Sequence, residues 1–199
     1  MPLTIKQPAK EVAAVIRGQL EYMATDGLFR TAQLRTAAPA ALSLAAPHPV
    51  YNLSLDDVSA ANPLGKAKLT AWRYVVLDGE RSIATAEALP QSATKKPVFS
   101  QTNEGPLATS FGNAITVAER LPELADQTYE LAVLRLPALH VTALWLKGSS
   151  RDTFADDLFI PLNPAPAGLK AEEKLNADAF LKALTTLKAE RGVSEGTSN

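Results

Sequence analysis

Two histidines are the first residues to weigh, because imidazole is the usual general base near neutral pH and a common metal ligand. His48 stands between Pro47 and Pro49, and His140 stands inside Tyr129 to Gly148, YELAVLRLPALHVTALWLKG, the longest apolar run in the chain. A hydrolase would need a nucleophile and an orienting acid beside His140. Ser149 and Ser150 follow it closely, but no G-x-S-x-G elbow surrounds them. A metal enzyme would draw on His48, His140 and the acidic pairs Asp56-Asp57 and Asp156-Asp157. Adjacent acids on a strand point to opposite faces, so such a doublet is a poor chelator by itself. Neither H-E-x-x-H nor EF-hand spacing occurs. His140 is therefore expected as a strand histidine among apolar neighbours, and a hydrolase or metal-dependent role is the lesser alternative. No catalytic residue and no metal ligand is assigned.

Other chemistries find less. Gly65-Lys66 lacks the earlier glycine and the following Ser or Thr of a P-loop, and no G-x-G-x-x-G exists, so no nucleotide cofactor is expected. The chain has no cysteine, which removes thiol nucleophiles, disulfides and Cys-ligated metal centres. Twenty Lys and Arg stand against 21 Asp and Glu, and the only basic doublet is Lys95-Lys96. That balance gives no electrostatic footprint for nucleic acid. No run reaches the ~18 uninterrupted apolar residues of a membrane span. The opening MPLTIKQPAKEV lacks the basic-then-apolar pattern of a secretory signal, so a cytoplasmic location is expected.

Three large aromatics complete the candidate list: Trp72, Tyr74 and Trp145. Such rings fill cores, and they are also enriched in interface centres and ligand pockets.

The elements that must carry these residues follow from periodicity. Val12, Ile16, Leu20 and Met23 share one face of a helix over 9–24, closed by Gly27. The alanines near 39–46 suit a short helix bracketed by Pro39 and Pro47, and 50–55 alternates as a strand. Lys68 to Leu77 and Arg81 to Leu89 read as a hairpin turning at Asp78-Gly79. That register sets Arg73 against Ala84 and Ala71 against Ala86, and it puts Trp72, Tyr74, Val76 and Ile83 on the opposite face from the alanines. Helices are expected over the alanine side, leaving the aromatic side for more core, a partner or a ligand. Pro97-Val98-Phe99 suits a short edge strand. Thr109 or Ser110 suits the N-cap of a helix burying Phe111, Ala114, Ile115, Ala118 and Leu121. Tyr129 to Leu136 and Leu139 to Leu146 form a central strand pair interrupted at Pro137. Leu158 to Leu162 is a further strand. Asn176 caps a last helix that buries Phe180, Leu184 and Leu187, with Leu175 stapled onto Phe180.

WRYVVLDG (Trp72 to Gly79), the run YELAVLRLPALHVTALWLKG and FIPLNPAP (Phe159 to Pro166) together resemble bacterial conserved-hypothetical proteins of this size, over about the C-terminal two thirds of the chain. The resemblance implies no activity and transfers no catalytic residue.

The combined expectation is an α+β fold: a mostly antiparallel sheet of about four to six strands, with helices packed mainly on one face. One globular domain spans 1–190, and 191–199 is a flexible tail. The functional expectation is a non-enzymatic interaction or accessory protein, homodimeric through an aromatic sheet face bearing Trp72, Tyr74 and Trp145. The alternative is a domain that binds a small apolar ligand. No cofactor, nucleic acid or membrane is expected as a partner.

Overall fold

The computed structural model describes residues 3–90, 96–150 and 153–196. Lys95 of the basic doublet and the last three residues of the expected tail lie outside them. One sheet runs through the described residues. Its strands are β1 (Leu3–Thr4), β2 (Leu42–Asn52), β3 (Lys68–Asp78), β4 (Arg81–Leu89), β5 (Val98–Glu104), β6 (Tyr129–Leu136), β7 (Val141–Lys147), β8 (Leu158–Pro161) and β9 (Leu175–Asn176). Their order is β5-β4-β3-β2-β6-β7-β8-β9, and β1 pairs with β6 as well. The sheet is mostly antiparallel, as expected. It has nine described strands rather than four to six, and it is mixed, because β1 and β2 both run parallel to β6.

The strands with no counterpart in the sequence reading are β1 and β9, whereas the alanine-rich segment lengthens the strand expected over 50–55. Only Pro39–Ala41 makes a helical turn, of the 3-10 type, and the chain is extended from Leu42 onward. Leu42 and Leu44 pack into the core at strand spacing, opposite Asp78 and Val76. Cross-strand packing overrides the high intrinsic helix propensity of the alanines. Two prolines in an inner strand need an explanation, since proline cannot donate to a ladder. The pairing of β2 with β6 covers only Val50–Asn52, so Pro47 and Pro49 lie where β3 alone flanks the strand. A bulge between Ala45 and His48, with Ala46 at φ 45°, absorbs the misfit.

Helices cover both faces, not mainly one. The helices are α1 (Lys10–Thr25), α2 (Ala32–Thr36), α3 (Pro106–Glu119), α4 (Glu123–Asp126) and α5 (Ala177–Gly196). Val12, Ile16 and Leu20 of α1 and Leu34 of α2 pack on Trp72, Tyr74 and Val76. Phe180 and Leu184 of α5 pack on Ala132, Leu134 and Trp145. The other face, Val75, Val133 and Leu144, lies under Phe111, Ala114 and Ala118 of α3. A nine-stranded sheet with apolar residues on both faces needs this double cover.

The caps show how the helices are placed. Asn176 Oδ1 accepts the N–H of Ala179 at 2.8 Å, so the expected N-cap of α5 is present. That helix continues to Gly196, past position 190. For α3 the expected caps Thr109 and Ser110 fall inside the helix. It starts at Pro106, after Gly105 at φ 75°. The expected strand pair β6–β7 is present, with Leu134 opposite Ala143 and Ala132 opposite Trp145, and the expected break at Pro137 is a 3-10 turn over Pro137–Leu139.

The β3–β4 register differs from expectation by more than a slip. The loop is Gly79-Glu80, one residue later than Asp78-Gly79, with Asp78 opposite Arg81 and Gly79 at φ 60°. Glycine at the first loop position suits a type II′ turn rather than I′. A bulge then follows between Val76 and Leu77, and Val76 pairs with Ala84, Tyr74 with Ala86 and Trp72 with Ala88. The alanines do lie under a helix, α1, but the aromatic rings share that face with them. Arg73 consequently faces Glu87 instead of Ala84.

Candidate functional site

The displaced register assembles a buried polar cluster beneath α3. Arg73 on β3 and His48 on β2 are register partners, and both are fully buried. Arg73 Nε donates to Glu87 Oε1 on β4 at 2.6 Å. Arg135 on β6 reaches across β2 and β3, and its Nη2 donates to that same oxygen. From the edge strand β5, Gln101 Nε2 donates to Glu87 Oε2 at 3.1 Å. Asn103 Nδ2 lies 3.4 Å from Glu87 Oε1 and 3.3 Å from Thr85 Oγ1. Four strands, β3, β4, β5 and β6, are thus tied through one carboxylate. Phe111 of α3 roofs the cluster. Its ring stacks on His48 with centroids 4.7 Å apart, and the Arg73 guanidinium carbon lies 5.5 Å from its centre.

The electrostatics follow from burial. Desolvation pushes the Glu87 carboxyl up, but the charges of Arg73 and Arg135 outweigh it and hold the group below its ordinary range. Burial lowers the Arg73 pKa, and Glu87 opposes that shift. His48 is held down to about 3, first by burial and then by the Arg73 charge, against the raising effect of the Ala46 carbonyl. It is therefore neutral. Its Nδ1–H donates to Ala46 O at 2.7 Å, which leaves Nε2 as a lone-pair acceptor. Arg73 Nη1 and Nη2 and His48 Nε2 are buried without a hydrogen-bond partner. With Arg73 and His48 fully buried under Phe111, the cluster can lock strand positions.

The candidates from sequence sit elsewhere. His140 is exposed at the end of the β6–β7 turn, at φ 53°, rather than within a strand. Trp72 and Tyr74 are buried under α1 and α2. Trp145 is buried with Phe159 under α5, and its Nε1–H donates to Asp157 Oδ2 at 2.6 Å. Asp157 Oδ1 also accepts the Gly148 N–H at 2.8 Å, and Ser150 Oγ donates to Asp156. Ser54 Oγ donates to Asp57 at 2.6 Å. Both acidic doublets thus engage in local hydrogen bonds. Among the described residues no group of three His, Asp or Glu side chains is placed to hold a metal ion. None of the four aromatic and histidine candidates shares a site with His48, Arg73, Glu87 or Arg135. The available signal for that cluster was one positive and one negative residue inside the two apolar runs of a single hairpin.

A second feature lies where the cluster meets solvent. β5 ends the sheet, and no described strand pairs on its outer side. Its sequence, VFSQTNE, has neither proline nor lysine, the residues that usually blunt an open edge. A groove of about 480 Å³ straddles this edge, lined by Met23, Leu28, Arg30, Thr102, Asn103, Glu104 and Leu107. Thr102 lies against Met23 of α1 on one face of the sheet. Asn103 and Leu107 line it from the α3 side. The Glu104 carboxylate accepts the backbone N–H groups of Arg30 and Thr31, at 3.1 and 2.7 Å, and fixes the loop between α1 and α2 against the strand. Leu28 in the groove is 50% exposed, and Leu89 and Val98 at the other end of the edge are 47% and 57% exposed. No protein-family model, curated protein or solved structure matches the chain.

Proposed function

We propose that the chain is a non-enzymatic interaction protein that docks a partner's extended segment along β5. The observation that carries this reading is the groove straddling an unpaired edge strand. An added strand takes its main-chain hydrogen bonds from such an edge, and flanking pockets read its alternate side chains. The buried cluster supports the role by pinning Gln101 and Asn103, so the edge is held in an extended form before any partner arrives. Trp72, Tyr74 and Trp145 act here as core beneath the helices, and the contact shifts from the aromatic face to the edge. The same groove favours a second reading, a small-molecule site, because its volume is in the range of ligand pockets and Met23, Leu28 and Leu107 give it an apolar part.

The test is selection of binders from a random library of extended peptides, followed by hydrogen exchange of the complexes. Protection of the Gln101–Glu104 amides is the expected result. Binders that protect only other segments, or that bind equally to a Thr102→Pro variant, rule the reading out.

A further inference from the structure

We infer that the segment docked on β5 is β5 of a second copy of this chain, in an antiparallel pair about a two-fold axis normal to the sheet. This rests on the edge-docking reading and names its partner. A two-fold dimer uses the same patch twice, so each end of β5 must suit the other end. The ends are complementary. At one end Leu89 and Val98, register partners at the edge of the sheet, are both largely exposed. Alternation from Glu87 places Leu89 on the α3 side. At the other end lies the groove, whose α3 side is Leu107 and Asn103.

An axis normal to the sheet keeps like faces together. Leu89 and Val98 of each copy therefore reach Leu107 of the other, and the contact is made twice. The charges agree with this arrangement. Lys96, exposed just before the strand, arrives beside Glu104 at the far end of the partner strand. The axis passes near Ser100, the extra residue of a bulge between Phe99 and Gln101. That residue is small and exposed, so two copies can approach there without a clash.

The experiment uses the full chain. Sedimentation velocity across a concentration series is expected to show a dimer, and Val98→Lys is expected to convert it to a monomer with an unchanged far-ultraviolet circular dichroism spectrum and a melting temperature that no longer rises with concentration. The chain has no cysteine, so Ser100→Cys introduces a single thiol. Mild oxidation should link two copies through it, and the Val98→Lys change in the same chain should abolish the link. A wild-type protein that is monomeric throughout overturns the inference. So does a dimer that Val98→Lys leaves intact and Ser100→Cys does not cross-link. A monomer that still selects peptides protecting β5 removes the second copy but keeps the edge-docking reading, whereas a monomer that selects none removes both.

Discussion

The ring of Phe111 stacks on the imidazole of His48, centroids 4.7 Å apart and planes 16° from parallel. A helix residue thereby seals a histidine carried by a strand that contains two prolines, and the seal keeps the histidine neutral. The consequence is acid sensitivity. In the unfolded chain His48 takes a proton near its ordinary 6.5, but in the fold only near 3. The unfolded state therefore binds more protons between those values. Stability is full above 6.5 and is lost as pH falls from 6.5 toward 3, reaching roughly 5 kcal/mol at the lower limit. Glu87, held below its ordinary value, adds a loss of the same sign below 4.5. Urea denaturation from about pH 7 to about pH 5 should show this decline, and His48→Phe should flatten it. An unchanged slope in the variant would mean that other groups set the acid limit.

Glu87 is the single carboxylate between two guanidinium groups. Glu87→Gln keeps its shape and some hydrogen bonding but leaves Arg73 as a buried, unpaired charge. A loss of about 3–5 kcal/mol is expected in chemical denaturation. An Arg73→Met, Glu87→Leu pair should cost less than Glu87→Gln alone, because no charge is then stranded. A double variant worse than the single would show that packing, not charge pairing, dominates there.

Asp157 holds both the indole N–H of Trp145 and the backbone N–H of Gly148. Asp157→Leu orphans both donors, and a loss of about 2–4 kcal/mol is expected, with a change in tryptophan emission. Gly148 itself has no room for a side chain, since a Cβ there would lie 2.6 Å from Asp156 Cβ. Gly148→Ala should therefore destabilise as well, by displacing the turn that carries Asp156 and Asp157.

Asn176→Ala removes the side-chain acceptor at the start of α5. A loss of about 1 kcal/mol, read as a lower urea midpoint with an unchanged slope, is expected. No change would mean that the preceding strand β9 already fixes that helix end.

Elements carried by strong local patterns were legible in the sequence. The face of α1, the Asn176 cap and the β6–β7 pair all follow from spacing that neighbours reinforce. The polar cluster was not legible, for an identifiable reason. One residue of displacement at Gly79, followed by a bulge, exchanges the faces of half a hairpin, and Arg73 then meets Glu87 rather than Ala84. Charge pairing would have chosen the correct register where turn propensity chose the wrong one. His48 was hidden because prolines on both sides argue for a loop, and only the narrow pairing of β2 with β6 makes them tolerable within a strand. The open edge at β5 depends on strand order, which no local pattern encodes.

The parallel seam between β2 and β6 has a consequence for how the molecule forms. β2 through β5 make one meander and β6 through β9 another, each built from neighbours in the chain. They join where Val50 meets Val133 and Asn52 meets Arg135, three paired positions from distant parts of the chain. Closing that distance costs loop entropy before any contact rewards it. The two meanders are therefore expected to form before the seam, which a seam variant such as Val133→Ala would test by speeding unfolding more than it slows folding. Arg135, which belongs to one unit but anchors to Glu87 of the other, acts as the latch that makes the union cooperative.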